Sequence, residues 1–202
     1  MALENRENGN YITILNGKFC QRVKEGTEGA VQRTNKLNKV VFEKFYDSFT
    51  GRLIDIKIAD GTYGKTWNFY FQDSGEVYIL QLSYNNGFAN ALLKMLPNAD
   101  LTKEMKVSPS MKEENGKIKS SLFVNQDGKP LKHFYTKDNP NGFPQWTQIT
   151  VKGEKVWDST DQLKFLEEMV NTTILPKLVR NVEVAEPAEI TEPAEENEKL
   201  DF

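Results

Sequence analysis

Residues 52–84 read RLIDIKIADGTYGKTWNFYFQDSGEVYILQLSY. In the first part Ile54, Ile56 and Ile58 alternate with Asp55 and Lys57. A period of two predicts a half-buried strand, with the isoleucines on one face and Leu53, Asp55 and Lys57 on the other. Asp60-Gly61 and Gly64 mark a turn. Trp67, Phe69 and Phe71 then alternate with Asn68, Tyr70 and Gln72, which predicts a second strand. Asp73-Ser74-Gly75 turns the chain again, and residues 76–84 complete a three-strand meander.

Working outward, the period changes to 3.6. Phe88, Ala91, Leu92, Met95 and Leu96 share one helical face, with Asn86 as N-cap and Pro97 as terminator. Strand-like segments resume at residues 103–108 and 117–124. Upstream, Asn16-Gly17 separates two β-prone runs, because that pair tolerates the positive φ of a tight hairpin turn. Residues 24–38 read as a basic, mobile loop, and 125–158 as irregular, with Pro130, Pro140 and Pro144. Ser159 and Gln162 fit a capping box before a second helix along Leu163, Leu166 and Val170. Strand, strand, strand, helix, strand, strand is the order of an OB-fold. The expected class is mainly β with flanking helices (α+β). It comprises an OB-fold-like five-stranded Greek-key barrel, an N-terminal β-hairpin, a C-terminal helix and a disordered acidic tail. The body covers residues 1–180 and the tail 181–202.

Charge divides the chain at the same place. The 202 residues carry 26 Lys and Arg against 29 Asp and Glu. Residues 181–202 hold eight acids and only Lys199 as a base, net −7, so the remaining 180 residues are net +4. A basic body with an acidic tail points to nucleic acid or to an interaction tail. The tail repeats Glu-Pro-Ala-Glu from Glu186 and from Glu192 and has no apolar periodicity, so a packed structure is not expected there. No apolar run is long enough to span a bilayer, and Met1 to Asn10 lacks a signal-peptide pattern, so a cytoplasmic protein is expected (bacterial host cytoplasm if viral).

Few residues suit catalysis. A single Cys20 and a single His133 exclude an internal disulfide and Cys- or His-rich metal sites. Gly61-Thr62-Tyr63-Gly64-Lys65-Thr66 has two residues between its glycines where a P-loop needs four, and a β-rich run follows instead of a helix. Asp55, Asp60, Asp73, Glu76 and Glu104 admit a metal-dependent nuclease as a rival, although Asp60 and Asp73 sit in turn sequences. No cofactor is expected and the chain is read as a non-enzyme.

Aromatic residues interleaved with bases are the stronger signal. Single-stranded nucleic acid is held by bases stacked on rings while cations follow the phosphates. The candidate contacts are Lys57, Tyr63, Lys65, Trp67, Tyr70, Phe134 and Tyr135, with Trp146 as a further ring near lysines.

The tail, with Glu195, Glu196, Glu198, Asp201 and Phe202, resembles that of single-stranded DNA-binding proteins of bacteria and tailed phages, the phage T7-type in layout. Lys199 and Leu200 depart from a purely acidic tip. The resemblance implies sequence-independent binding of single-stranded DNA in replication, recombination and repair. It also implies that the acids and Phe202 recruit replisome or recombination proteins. A phage structural or assembly protein that does not touch DNA is the remaining alternative.

Overall fold

The computed structural model describes residues 10–35, 38–61, 64–114, 117–151 and 153–179. The strands are β1 (Asn10–Leu15), β2 (Lys18–Val23), β3 (Val31–Thr34), β4 (Val40–Tyr46), β5 (Phe49–Gly61), β6 (Gly64–Asp73), β7 (Glu76–Ser83), β8 (Glu104–Glu114), β9 (Lys117–Gln126), β10 (Lys129–Pro130), β11 (Thr147–Val151) and β12 (Glu154–Asp158). Helix α1 (Gly87–Met95) lies between β7 and β8, and α2 (Thr160–Met169) follows β12. The described residues are therefore mainly β with two flanking α-helices, as the residue periodicities predict.

Ten strands form one sheet in the order β10-β9-β8-β5-β6-β7-β1-β2-β4-β3. β5, β6 and β7 are the expected antiparallel meander, β8 returns to the free side of β5, and β1 joins β7 in parallel. Among the described residues the expected five-stranded closed barrel is not formed. Among the described residues the ladder is open, because the N-terminal hairpin and β4 extend the row instead of closing it. The β1–β2 turn nevertheless reaches β8. Gly17 has φ +74°, and a Cβ placed on it would lie 2.5 Å from the backbone nitrogen of Met111. Asn16 also has positive φ, at 51°, in keeping with the Asn-Gly turn.

The core lies between the sheet and the two helices. Leu53, Ile56, Trp67, Phe69, Phe71, Leu80 and Leu82 face Phe88, Leu92, Leu93 and Leu96 of α1 and Leu166 and Met169 of α2. Asn86 caps α1 as expected, its Oδ1 accepting from Phe88 N at 2.8 Å and from Ala89 N at 3.4 Å.

Four expectations need correction. A register shift between Leu53 and Asp55 interrupts β5. An inserted residue reverses the facing of everything beyond it. Leu53 therefore joins Ile56 in the main core, while Ile54 turns to the opposite face with Tyr70 and Ile79. The loop of residues 24–38 contains β3, clamped to β4 by Arg33 Nε and Nη2, which donate to the two carboxylate oxygens of buried Glu43 at 2.7 Å each. Residues 125–158 contain the β11–β12 hairpin, whose turn uses Gly153 at φ +86°. The capping box of α2 is absent: Ser159 makes no side-chain cap, and Asp158 Oδ1 accepts from Thr160 N at 3.0 Å instead. Gln162 is drawn away by Pro144, donating Nε2 to its carbonyl at 2.8 Å.

Candidate nucleic-acid interface

The β11–β12 hairpin is a two-stranded sheet apart from the large one. Two strands alone are marginal in water, so the hairpin depends on its ends. One end is held by the Gln162–Pro144 bond and by Phe143, which belongs to a ring cluster with Tyr135 at 5.3 Å and Phe165 at 5.5 Å. The other end runs through the Asp158–Thr160 cap directly into α2. The middle is free of the core, so both its faces meet solvent.

Register then decides what the hairpin presents. Gln148 pairs with Trp157 and Thr150 with Lys155, and cross-strand partners share a face. Trp146 precedes Gln148 by two residues, and its ring lines the same cleft as Trp157, of about 350 Å³. Trp146 is 55% and Trp157 62% exposed. Lys155 is also exposed. This face thus combines two open indole rings, an amide, a hydroxyl and a cation. The opposite face carries the exposed pair Ile149 and Val156.

The rings expected on β6 are placed differently. Trp67 is buried, donating Nε1 to the Tyr84 carbonyl at 3.1 Å and stacking on Tyr84 at 5.4 Å and 15°. Tyr70 does lie on the face opposite Trp67, but it is only 1% exposed, in a small cluster with Ile54 and Ile79. Burial pushes its phenol up to about 12, aided by Tyr11 and Asp55, and its hydroxyl has no hydrogen-bond partner among the described residues. Neither ring offers a face to a base, because alternation sets the side of a sheet and not what covers it.

Lys57 is half-buried, its Nζ 5.5 Å from the Tyr70 ring centroid. It also lines a cleft of about 340 Å³ with Trp67, Glu167 and Asn171. Tyr84 donates to Glu167 Oε2 there at 2.7 Å, and burial followed by this bond raises the Tyr84 phenol. Lys65 is exposed, with Nζ 5.6 Å from the Tyr84 ring centroid. Phe134 stands edge-on to Tyr135 at 5.0 Å and is partly open, whereas Tyr135 is buried in the ring cluster. Tyr63 and the tail residues Glu195, Glu196, Glu198, Asp201 and Phe202 lie outside the described residues.

The acids considered for metal chemistry are dispersed. Asp60 pairs with Lys65 across the β5–β6 hairpin, and Asp73 pairs with Glu76 across the next turn. Among the described residues no group of three or more His, Cys, Asp or Glu is placed to hold a metal ion. No helix there is long and apolar enough to cross a membrane.

Trp157 escaped the sequence reading. Its signal was the alternation within residues 147–151 and 154–158 on either side of Gly153. The three nearby prolines masked it. Compared with protein families, with curated proteins and with solved structures, the chain gives no match.

Proposed function

We propose that the protein is a non-enzymatic, sequence-independent single-stranded DNA-binding protein that serves replication, recombination or repair. The observation that carries this reading is the pair of exposed tryptophans, Trp146 and Trp157, lining one cleft on a hairpin that also bears Lys155. Large exposed rings gain little in water but stack on any base, since every base has a π-face. The net +4 charge of residues 1–180 supplies the attraction for phosphates.

An OB-type architecture suits the same role. β5, β6, β7, α1, β8 and β9 follow its chain order, and the close approach of Gly17 to Met111 brings β2 back toward β8. The acidic segment of residues 181–202, with Phe202, acts in this reading as the recruiting element for replisome or recombination proteins. The setting is the cytoplasm, that of a bacterial host if the protein is viral.

The test is tryptophan fluorescence titrated with single- and double-stranded oligonucleotides at low salt. Trp146 and Trp157 should be quenched by single strands, while Trp67, already stacked in the core, should be indifferent. Unchanged emission together with no mobility shift for any oligonucleotide would remove the reading.

A further inference from the structure

β8 pairs with β5 only over Glu104 to Val107, opposite Phe49 to Arg52. Beyond Val107, β8 and β9 continue as a two-stranded ribbon. Val107 pairs with Val124 and Pro109 with Leu122, and these rungs are buried, while the next rung on that face, Met111 with Ser120, is exposed. The rungs between them alternate to the outside: Ser108 with Phe123, Ser110 with Ser121, and Lys112 with Lys119.

Two features of this outward face add nothing to the core. Like charges directly opposite one another across a ladder are destabilising, yet Lys112 and Lys119 form such a rung and both are exposed. Within 4 Å Lys119 has Glu114 Oε2, at a long 3.8 Å, and Lys112 makes no ion pair among the described residues. Phe123 is 56% exposed, and its ring joins no aromatic contact there. It stands four residues from Lys119, about 13 Å along the strand. The Ser110–Ser121 rung lies between them.

We propose that this face of the ribbon is a second single-stranded nucleic-acid contact, with Lys112 and Lys119 on phosphate and Phe123 under a base. The inference rests on the DNA-binding reading and extends it to a site on a different element from the tryptophan hairpin. A polyanion relieves the repulsion of the lysine rung. The ring selects nucleic acid over an acidic peptide, because a peptide of carboxylates offers nothing to stack.

The full chain, Lys112→Gln/Lys119→Gln and Phe123→Ala are titrated with oligothymidylate across a salt series, and with polyglutamate as a control. The double variant should bind with a log K against log [salt] slope shallower by about 1.4, at ~0.7 per phosphate contact. Phe123→Ala should keep the slope and lose about 5- to 150-fold in affinity. Neither variant should melt below the parent, since the lysines repel and the ring is open. If the parent binds while either variant retains both slope and affinity, the ribbon contact is overturned and the lysines merely guard a strand edge. Equal weakening of polyglutamate binding by Phe123→Ala would overturn the nucleic-acid assignment. Failure of the parent to bind oligothymidylate would instead sink the DNA reading itself.

Discussion

Gly17 and Met111 come within van der Waals contact across the gap between the N-terminal hairpin and β8, so closely that a single added carbon would lie 2.5 Å from the Met111 nitrogen. This contact links elements nearly a hundred residues apart that share no strand ladder. Gly17→Ala meets both this clash and the strain of φ +74°. Gly26, at φ +80° with open space around it, meets only the strain. Urea unfolding should show Gly17→Ala losing more than Gly26→Ala, whose cost should be about 1 kcal/mol, near the low end for a non-glycine held in that region. Equal losses would mean that the hairpin and β8 separate freely.

Tryptophan substitutions should divide by burial. Trp146→Ala and Trp157→Ala should each cost on the order of 1–3 kcal/mol of single-stranded DNA binding with little change in thermal midpoint. Trp67→Ala should cost about 3–5 kcal/mol of stability, since its ring fills the core between β6 and Tyr84. Parallel titrations and melts separate the two classes. DNA binding that survives loss of both exposed rings would move the interface elsewhere.

The Arg33–Glu43 clamp makes an acid-dependent contribution. The hydrogen bond from Arg33, against the opposing effect of burial, holds the Glu43 carboxyl below its usual range. A depressed carboxylate stabilises the fold fully above its unfolded value, about 4.3, and the contribution is lost as pH falls through the lower folded value. Glu43→Gln should therefore lower the urea midpoint near neutrality and flatten its decline toward about pH 3. A variant with the parent's full acid slope would show that β3 is held by other contacts.

Removing the residues after Val184 takes away seven acids and Lys199, a net change of +6. If the tail competes with DNA for the basic body, affinity for oligothymidylate should rise, most strongly at low salt where screening is weakest. Weaker binding after truncation would refute that competition. Deletion of Phe202 alone keeps every side-chain charge, so DNA affinity should hold while capture of a replication partner falls.

The central strand of the meander was legible because its side chains alternate: Trp67, Phe69 and Phe71 do share the core face, and Asn16-Gly17 and Asn86 do form the turn and cap their chemistry favours. Such features depend on neighbours in the chain, and so does the division of charge between body and tail. The placement of Ile54, Tyr70 and the tryptophans depends on contacts far apart in sequence. The shift after Leu53 arises in pairing with β6, so three isoleucines in perfect alternation end on two faces. Tyr70 points away from the core face as its period demands, yet packing with Ile54 and Ile79 closes its ring. Trp157 has no local mark that distinguishes it from Trp67. One became core and the other surface because β6 lies under two helices while β12 pairs only with β11. Residue type and period determine which way a side chain points only where the register is unbroken, and the assembled neighbours determine both where it breaks and whether water remains.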